Sequence, residues 1–156
     1  MVDRRAMGDK IHGSVTFGKH SVVAEGVSIG KGSKVWHFVN LYGCQIGENC
    51  IISSFCEIGR DVKIGNNCKI ECRAFIPTGV EIEDEVFIGP SVTFTNDKHP
   101  KTKGEWKITR TIVKKRASIG AHDTMRGNTW RRRRCRCWGG GYKGCFTIHF
   151  SARQPC

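Results

Sequence analysis

A short polar segment in the second half of the chain carries side chains that could handle a proton. Residues 95–99 read TNDKH. His99 could act as a general base because imidazole titrates near neutral pH, and Asp97 could assist it. The alternative is an Asx-turn, in which Asn96 and Asp97 only redirect the backbone. His37 is far from this segment in sequence and is either a second site residue or a surface histidine.

The scaffold that must position these side chains is visible as a six-residue repeat. Large apolar residues occupy every sixth position along the series Ile46, Ile52, Ile58, Ile64, Ile70, Ile76, Ile82, Ile88 and Phe94. A strict period of six fits neither an α-helix nor an alternating strand and is typical of hexapeptide repeats. It predicts an all-β chain wound as a left-handed parallel β-helix, with three hexapeptides in each triangular coil. Acyl transfer is the leading chemistry expected of this fold.

A small residue follows each large one at the fourth position, and several of these small residues are cysteines. Cys50, Cys56 and Cys68 occupy this place. The side chain there faces the narrow interior, where a free cysteine packs as a compact apolar group. We therefore predict that these three cysteines are buried thiols with a structural role and are not joined in disulfides.

The repeat extends backwards to Phe17 with one irregularity. Its earlier members are Phe17, Val23, Ile29, Val35 and Leu41. Ile46 follows Leu41 by five positions instead of six, so one residue is missing from this hexapeptide. We predict that Tyr42-Gly43 forms a tightened corner at this point.

The repeat also predicts a loop. It stops at Phe94 and resumes where Val113 and Ile119 again fall six apart. Residues 95–112 are therefore predicted to leave the wall of a β-helix domain that spans residues 11–121. A long loop on a rigid scaffold usually carries function, which makes this loop the expected active site. A surface insertion without function is the alternative.

The composition changes from residue 122 to the end of the chain. Residues 122–156 hold eight Lys and Arg residues and one acidic residue, and so supply seven of the twelve net positive charges. The run Arg131–Arg134, flanked by tryptophans, could be a nucleic-acid-binding patch. The tail also contains the potential metal ligands Cys135, Cys137, Cys145 and His149. Their spacing matches no standard zinc pattern.

Reverse translation offers a different origin for this tail. With Arg encoded as CGN, reading from the second base of the Gly127 codon to Cys145 permits the sequence VTLGDDAVVGAGAVVTKDV. That sequence is again hexapeptide-like and begins where the repeat disappears. We therefore interpret residues 122–156 as an out-of-frame tail that replaces the last coils of the β-helix. On this interpretation the tail is not a binding site, and we expect no specific nucleic acid as partner.

Other features of the sequence bear on location and on metal chemistry. No apolar run reaches the length of a membrane span, and the N-terminal stretch MVDRRAMGDK lacks the apolar core of a signal peptide. We therefore expect a cytoplasmic protein without a membrane partner. The six histidines include no close pair of the kind that a three-histidine zinc site uses. This argues against the carbonic anhydrase activity known for the fold, and we expect no metal.

Three stretches of the sequence resemble a known family. They read KVWHFVNLYG, EIEDEVFIGPSVTFTNDKHPK and RTIVKKRASIGA. They are similar to the nucleotide-sugar N-acetyltransferases of the left-handed β-helix superfamily, above all to the 3-amino-sugar N-acetyltransferases of bacterial surface-polysaccharide (lipopolysaccharide and O-antigen) synthesis. The likeness covers residues 11–121, and the chain departs from the family after Ala121.

The resemblance implies an activity and an assembly. It implies acetyl-CoA-dependent transfer to the 3-amino group of a dTDP-3-amino-3,6-dideoxyhexose or a UDP-linked 3-amino uronate. It also implies a homotrimer in which adjacent β-helices share the active sites. Either a general base or the substrate itself could accept the proton. Because the coils that help to bind acetyl-CoA are replaced, the chain as written could be inactive.

The resemblance also implies roles for particular residues. Asn96 matches the position that contacts the reacting amine, and Asp97 and His99 complete the expected catalytic set. The expected substrate-binding residues are Trp36, His37 and Arg110. The expected acetyl-CoA-binding residues are Ser118, Gly120 and Ala121. Arg110, Lys114 and Lys115 could meet phosphates, with solvated charge as the alternative.

The sequence also leaves open a function of a different class, which is not enzymatic. The chain could be a non-catalytic, truncated β-helix protein whose arginine tail binds nucleic acid adventitiously. Such binding would weaken steeply as salt rises. Acetyl transfer would instead depend on acetyl-CoA and on a free 3-amino group.

Overall fold

The chain is built from very short β-strands. The computed structural model describes residues 10–97, 100 and 102–126, together with the backbone of residues 129–130. In chain order the strands are β1 Thr16–Phe17, β2 Val22–Val23, β3 Ser28–Ile29, β4 Lys34–Val35, β5 Asn40–Leu41, β6 Gln45–Ile46, β7 Ile51–Ile52, β8 Glu57–Ile58, β9 Lys63–Ile64, β10 Lys69–Ile70, β11 Phe75–Ile76, β12 Val80–Ile82, β13 Phe87–Ile88, β14 Thr93–Thr95, β15 Thr111–Val113, β16 Ser118–Ile119, β17 Thr124–Arg126 and β18 Thr129–Trp130. In this described part of the chain there is no helix that could cross a membrane.

The strands stack into three parallel sheets of six strands each. Every strand is hydrogen-bonded to the strands three places before and after it in the chain, where these exist. The first sheet therefore begins with β1 and β4, the second with β2 and β5, and the third with β3 and β6. Consecutive strands lie on successive sides of one coil. The predicted fold class, a left-handed parallel β-helix, is confirmed.

The six-residue period marks the side chains that point into the solenoid. In Glu57–Ile58, Lys63–Ile64 and Lys69–Ile70 the first residue is exposed and the second is buried. Adjacent coils are in register, so that Ile70 pairs with Ile52. Burying one such side chain contributes about 1.5–3 kcal/mol. The stacked isoleucines are therefore the main source of stability, as expected for a solenoid.

Tight corners join the sheets through residues with positive φ. Asn49 and Asp61 tolerate this conformation, but Phe38 and Phe55 adopt it too, at φ values of 57° and 63°. The rings of Phe38 and Phe55 stack 5.1 Å apart, and His20 stacks on Phe38 at 5.2 Å. Aromatic pairs of this kind contribute about 0.5–1.5 kcal/mol. Stacking therefore offsets part of the backbone strain at this corner.

The corner that is one residue short is formed by a glycine in the left-handed region. Gly43 has a φ of 56° between the buried residues Leu41 and Ile46. Glycine adopts this conformation at little cost because it has no Cβ. The coil keeps its register despite the shorter link, since Ile46 still pairs with Ile29.

Small inward residues at the corners form hydrogen bonds to the next coil. Ser33 Oγ donates to the carbonyl of Gly47 at 2.8 Å, and Cys50 Sγ donates to that of Gly65 at 3.1 Å. The same contact is made at 3.1 Å by the pairs Cys56–Glu71 and Cys68–Glu83. These thiols therefore satisfy corner carbonyls as well as fill space.

The chemical state of the buried thiols agrees with this role. Cys50, Cys56 and Cys68 are free and at most 1% exposed, as predicted from their place in the repeat. Burial raises the pKa of Cys56 to about 11 and that of Cys44 to about 12. These two thiols therefore stay protonated at neutral pH, and Cys56 can act as a donor.

One inward hydroxyl lacks such a contact and predicts a stabilising substitution. Thr111 is fully buried, and its Oγ1 has no hydrogen-bond partner among the described residues. Its neighbour in the coil below is Val80, so a valine fits this column. We expect Thr111→Val to raise the free energy of unfolding by about 1 kcal/mol, because an unsatisfied buried polar group costs about 1–3 kcal/mol. Urea denaturation measures this change.

Ser33→Ala is the matched control for this prediction. Ser33 Oγ donates to Gly47 and also accepts a hydrogen bond from the backbone N–H of Cys50 at 2.9 Å. Its removal should lower the free energy of unfolding by about 1–3 kcal/mol, because both partners lose a hydrogen bond. A destabilised Thr111→Val variant would contradict the assignment of an unsatisfied hydroxyl.

The β-helix continues with β17 beyond residue 121, the predicted end of the domain. Strand β17 pairs with β14 and brings Met125 beside Phe94, and Met125 is 1% exposed. Met125 follows Ile119 by six residues and so maintains the period. Apart from the backbone of β18, residues 127–156 lie outside the described residues. They include the arginine run, the candidate metal ligands and the reverse-translated stretch.

Candidate active site

The chain leaves the solenoid at the corner between the second and third sheets. Strand β14 ends at Thr95 and β15 begins at Thr111, so the excursion spans residues 96–110, inside the predicted interval of 95–112. The structure describes residues 96–97, 100 and 102–110 of this loop. The candidate base His99 lies outside the described residues.

Asn96 closes the base of the loop. Its backbone carbonyl accepts a hydrogen bond from the N–H of Thr109 at 2.7 Å, which joins the two limbs. Its side-chain Nδ2 donates to the carbonyl of Thr78 in the coil below at 2.8 Å. Asn96 is only 8% exposed, and Asp97 beside it is half-buried. Because an amide is planar, the bond from Nδ2 also fixes the direction of Oδ1.

The returning limb packs against a glycine. Gly79 has a φ of 93°, and an added Cβ at this position would lie 2.5 Å from Cγ2 of Ile108. The carbonyl of Gly79 accepts a hydrogen bond from the N–H of Thr111 at 3.0 Å. The absence of a side chain at residue 79 therefore lets the limb lie close to the coil. The hexapeptide pattern contained no sign of this contact.

A cavity of about 390 Å³ lies under the returning limb, on the outer face of the third sheet. Its wall includes Arg110, which was predicted from the resemblance, and Lys63, which was not. It also includes Thr78, the residue that holds Asn96. The loop thus brings Asn96 and Arg110 to the same side of the solenoid.

Trp36 and His37 lie at a different corner, between the first and second sheets. Trp36 is 51% exposed and meets His37 edge to face, with 6.3 Å between ring centroids. His37 Nδ1 accepts a hydrogen bond from the backbone N–H of Lys19 at 2.8 Å. Neutral His37 therefore carries its proton on Nε2, so the ring presents a donor outwards. This suits contact with a substrate better than proton abstraction.

The residues expected to bind acetyl-CoA lie on or just after β16, the last strand of the first sheet. Ser118 lies on β16 and is half-buried, and Gly120 and Ala121 are exposed just after it. They share a corner with Trp36 and His37 but not with Asn96. Within the described part of a single chain, the expected acetyl-CoA residues and Asn96 therefore lie at different corners.

A ladder of charges fixes the chain where it rejoins the solenoid. Three acidic residues, Glu83–Glu85, lie beneath the basic residues Lys114–Arg116. Lys114 Nζ is 2.5 Å from a carboxylate oxygen of Glu83, and Arg116 Nε is 2.6 Å from one of Glu85. Lys114 and Lys115, expected either to meet phosphates or to be solvated, are thus engaged with carboxylates of this chain.

The ladder predicts how stability depends on pH. Hydrogen bonds from Arg116 and then Lys115 hold the pKa of Glu85 below its ordinary value of 4.5. Because the folded state favours the carboxylate, this stabilisation is present above that value and is lost as the pH falls further. We expect acidification from about pH 6 to pH 3 to destabilise the wild type more than Arg116→Gln, which lacks the main partner. Thermal melts across this range measure the difference.

Arg60→Gln is the control for this prediction, since it removes a cation that forms no ion pair in the described part of the chain. It should keep the wild-type response to acid. High salt should shrink the difference between wild type and Arg116→Gln, because these charges are exposed and are screened over about 3 Å at 1 M salt. Parallel pH curves for wild type and Arg116→Gln would contradict the role of the ladder.

The described residues contain no group of three or more His, Cys, Asp or Glu side chains that could hold a metal ion. The buried cysteines Cys44, Cys50, Cys56 and Cys68 belong to the core, and His37 and Asn96 lie at separate corners. The polar groups near the loop are an amide, cations and carboxylates. Such groups can orient a substrate and accept a proton.

Comparison with known protein families gives one match. The family model for the GMPPB C-terminal domain matches residues 5–101. No curated protein matches the chain significantly.

Several solved structures resemble the chain at low identity. WeeI from Acinetobacter baumannii AYE shares 18% identity over 78% of this chain, with a TM-score of 0.49. A maltose O-acetyltransferase from Clostridium difficile 630 shares 20% over 52%, with a TM-score of 0.42. The acetyltransferase domain of PglB from Neisseria gonorrhoeae FA1090, solved in complex with acetyl coenzyme A, shares 17% over 77%, with a TM-score of 0.39. The chain covers only about half of each of these structures, namely 52%, 56% and 49%.

Proposed function

This chain belongs to the GMPPB C-terminal domain family, and we propose that it is an acetyl-CoA-dependent N-acetyltransferase. Its proposed acceptor is the 3-amino group of a nucleotide-linked amino sugar, either a dTDP-3-amino-3,6-dideoxyhexose or a UDP-3-amino uronate. The observation that carries this proposal is the position of Asn96, whose amide is fixed at the base of a loop beside a cavity with charged walls. The motif resemblance around Asn96 supplies the substrate class.

The proposed reaction needs a neutral amine and an activated acyl group. The amine nitrogen attacks the thioester carbonyl carbon of acetyl-CoA, and a C–N bond forms while the carbonyl oxygen takes up negative charge. The C–S bond then breaks and releases CoA as a thiolate. The nitrogen loses one proton, and the thiolate gains one. An amino sugar has a pKa near neutrality, so no strong base is required.

Asn96 is the proposed orienting residue in this reaction. Because Nδ2 is held by Thr78, Oδ1 is a fixed acceptor for a hydrogen of the amine. Such a contact directs the nitrogen lone pair towards the acyl carbon and lowers the entropic part of the barrier. Asp97 or His99 is the proposed proton acceptor, with direct transfer to the departing thiolate as the alternative.

The proposed active unit contains more than one copy of the chain, and we propose a homotrimer. Asn96 lies at the corner between the second and third sheets, whereas Ser118, Gly120 and Ala121 follow the first sheet. A complete site would therefore combine the loop of one copy with the first corner of its neighbour, which is the corner between the first and second sheets. Large apolar residues exposed around that first corner, including Trp36 and Phe55, support burial by a neighbour.

The proposed setting is the cytoplasmic synthesis of a bacterial surface polysaccharide, where nucleotide-linked amino sugars are made before export. Acetylation there would convert a charged amine into a neutral amide. The resemblance around Trp36 and Asn96 supports this setting.

An assay with the purified chain tests the proposal. Acetyl-CoA and a dTDP-3-amino-3,6-dideoxyhexose are supplied, and both the released thiol and the acetylated sugar are measured. The matched control is the nucleotide sugar that carries a hydroxyl in place of the amine, which should not react. A UDP-3-amino uronate, tested in parallel, decides between the two nucleotide classes.

A frame-corrected chain with hexapeptide sequence from residue 127 onwards is assayed beside the natural chain. Activity in the corrected chain alone would support the interpretation of the tail as out of frame. Equal activity in both would show that the terminal coils are dispensable. If both chains fold and neither forms the amide, the proposed function is wrong and the non-catalytic alternative gains support.

A further inference from the structure

The cavity under the returning limb is lined by Gly79 and by charged side chains from three successive coils. The strand register places Val80 below Thr111 and Glu81 above Lys63. Continued back to residue 79, one residue before Val80 and two before Glu81, this register puts Gly79 between Arg110 above it and Asp61 below it. Two coil spacings correspond to roughly 10 Å. Gly79 and Ile108 both line the cavity, and Ile108 Cγ2 lies 2.5 Å from the position that a Cβ of residue 79 would take.

The charged side chains around this cavity form no ion pair within the part of the chain that the structure describes. Lys63 and Arg110 form no ion pair with any described residue, and neither do Asp61 and Glu81. In the neighbouring charge ladder, by contrast, every cation of Lys114–Arg116 lies within 4 Å of a carboxylate. Unpaired charges of both signs around one cavity are suited to a ligand that carries both anionic groups and hydroxyl groups.

We propose that this cavity binds the glycosyl-diphosphate part of the nucleotide sugar, with Lys63 as a further substrate-binding residue. This inference rests on the proposed function. Lys63 and Arg110 bind the diphosphate, and Asp61 and Glu81 accept hydrogen bonds from sugar hydroxyls. Thr78 joins this subsite to Asn96, since its carbonyl holds the Asn96 amide and the residue lines the cavity.

The mixed charge of the subsite makes it selective. A purely basic pocket would bind any phosphate, whereas the two carboxylates here repel an anion that brings no hydroxyl donors. The volume of about 390 Å³ lies within the range of about 300–1,000 Å³ that is common for small-molecule sites. We therefore expect the nucleotide sugar to bind more tightly than dTDP, and inorganic phosphate to bind very weakly.

Equilibrium binding to the full natural chain tests the subsite without requiring turnover. Calorimetric titrations use a dTDP-3-amino-3,6-dideoxyhexose, dTDP and inorganic phosphate in turn, in the absence of acetyl-CoA. Lys63→Gln should weaken binding of the nucleotide sugar and of dTDP by about 10- to 100-fold, the effect of losing one charge-assisted hydrogen bond. Asp61→Asn should weaken binding of the nucleotide sugar and leave dTDP binding unchanged or tighter.

Lys34→Gln is the matched control, because Lys34 is also the exposed first residue of a two-residue strand but lies on the first sheet. It should bind both ligands as the wild type does. If Lys63→Gln binds like Lys34→Gln, or if the wild type binds no nucleotide sugar, the subsite is wrong. Circular dichroism and thermal melts verify that each variant is folded.

The same variants separate this inference from the proposed function. Acetyl transfer by Lys63→Gln with an unchanged KM would overturn the subsite and leave the proposed function standing. The opposite outcome is that neither the natural nor the frame-corrected chain forms the amide, yet nucleotide binding still depends on Lys63. That outcome would overturn the proposed function and leave the subsite standing.

Discussion

Asn96→Ala is expected to lower kcat for acetyl transfer by about 100- to 1,000-fold, the loss typical when one preorganised hydrogen-bonding group is removed from an active site. The substitution removes the fixed acceptor Oδ1, so the amine is no longer held with its lone pair towards the acyl carbon. KM for the nucleotide sugar should change much less, because the proposed diphosphate contacts at Lys63 and Arg110 remain. Steady-state kinetics measure both parameters, with the natural or the frame-corrected chain according to which of them forms the amide.

Asn96 also joins the loop to the coil, so its structural role needs a control. Asn66 is suitable because its side-chain amide also binds the backbone of the neighbouring coil, although through Oδ1, which accepts from the N–H of Glu48 at 2.8 Å. Asn66→Ala should cost about as much stability as Asn96→Ala and should leave kcat unchanged. If both substitutions lower kcat equally, Asn96 acts only through folding. Hydrogen exchange at the amide of Thr109 reports whether the loop base stays closed.

Gly79→Ala is expected to have the largest effect on stability. A side chain at this left-handed position costs about 1–2 kcal/mol. The added Cβ would also meet Ile108 at 2.5 Å, and overpacking of this kind costs about 1–3 kcal/mol. The returning limb must therefore move, and it carries Arg110 and the wall of the cavity with it. Urea denaturation and kcat/KM should both show large losses.

Gly26→Ala separates the strain from the clash. Gly26 also has a positive φ, 82°, but a Cβ there would lie 3.6 Å from Gly43, which is an ordinary contact. This variant should lose stability from backbone strain alone and keep its activity. If Gly26→Ala and Gly79→Ala reduce kcat/KM to the same degree, the contact between Gly79 and the loop is not what positions the site.

The fold could be predicted because the repeat reports inward positions directly. Each residue from Ile46 to Phe94 in the series of six is buried in the structure, since a two-residue strand leaves one side chain inside and one outside. Met125 continues this period, although it lies beyond residue 121, the predicted end of the domain. The change in composition at residue 122 outweighed a single further apolar residue. Periodicity is weak evidence when only one repeat remains.

The site was less predictable because its contacts join residues on different coils. Asn96 and Arg110 were singled out through the loop and the resemblance. Lys63 and Gly79 were missed because the hexapeptide pattern constrains inward positions and leaves exposed ones free. The ladder between Glu83–Glu85 and Lys114–Arg116 was missed for a related reason. Because of the loop, these partners are 31 residues apart in sequence. Coils of constant length would pair residues at a shorter, fixed separation, so the repeat alone does not place these charges beside each other.

The thiol and hydroxyl donors inside the solenoid give its assembly a direction. Ser33, Cys50, Cys56 and Cys68 each bind a carbonyl that lies 14 or 15 residues later in the chain. The N-terminal part emerges from the ribosome first, so the donors of one coil find their carbonyl partners only when the next coil has been synthesised. Each coil in a solenoid contacts only its neighbours, so an altered end disturbs the coil beside it and spares the earlier ones. A frameshift near the end of a gene for such a solenoid therefore leaves the earlier coils folded.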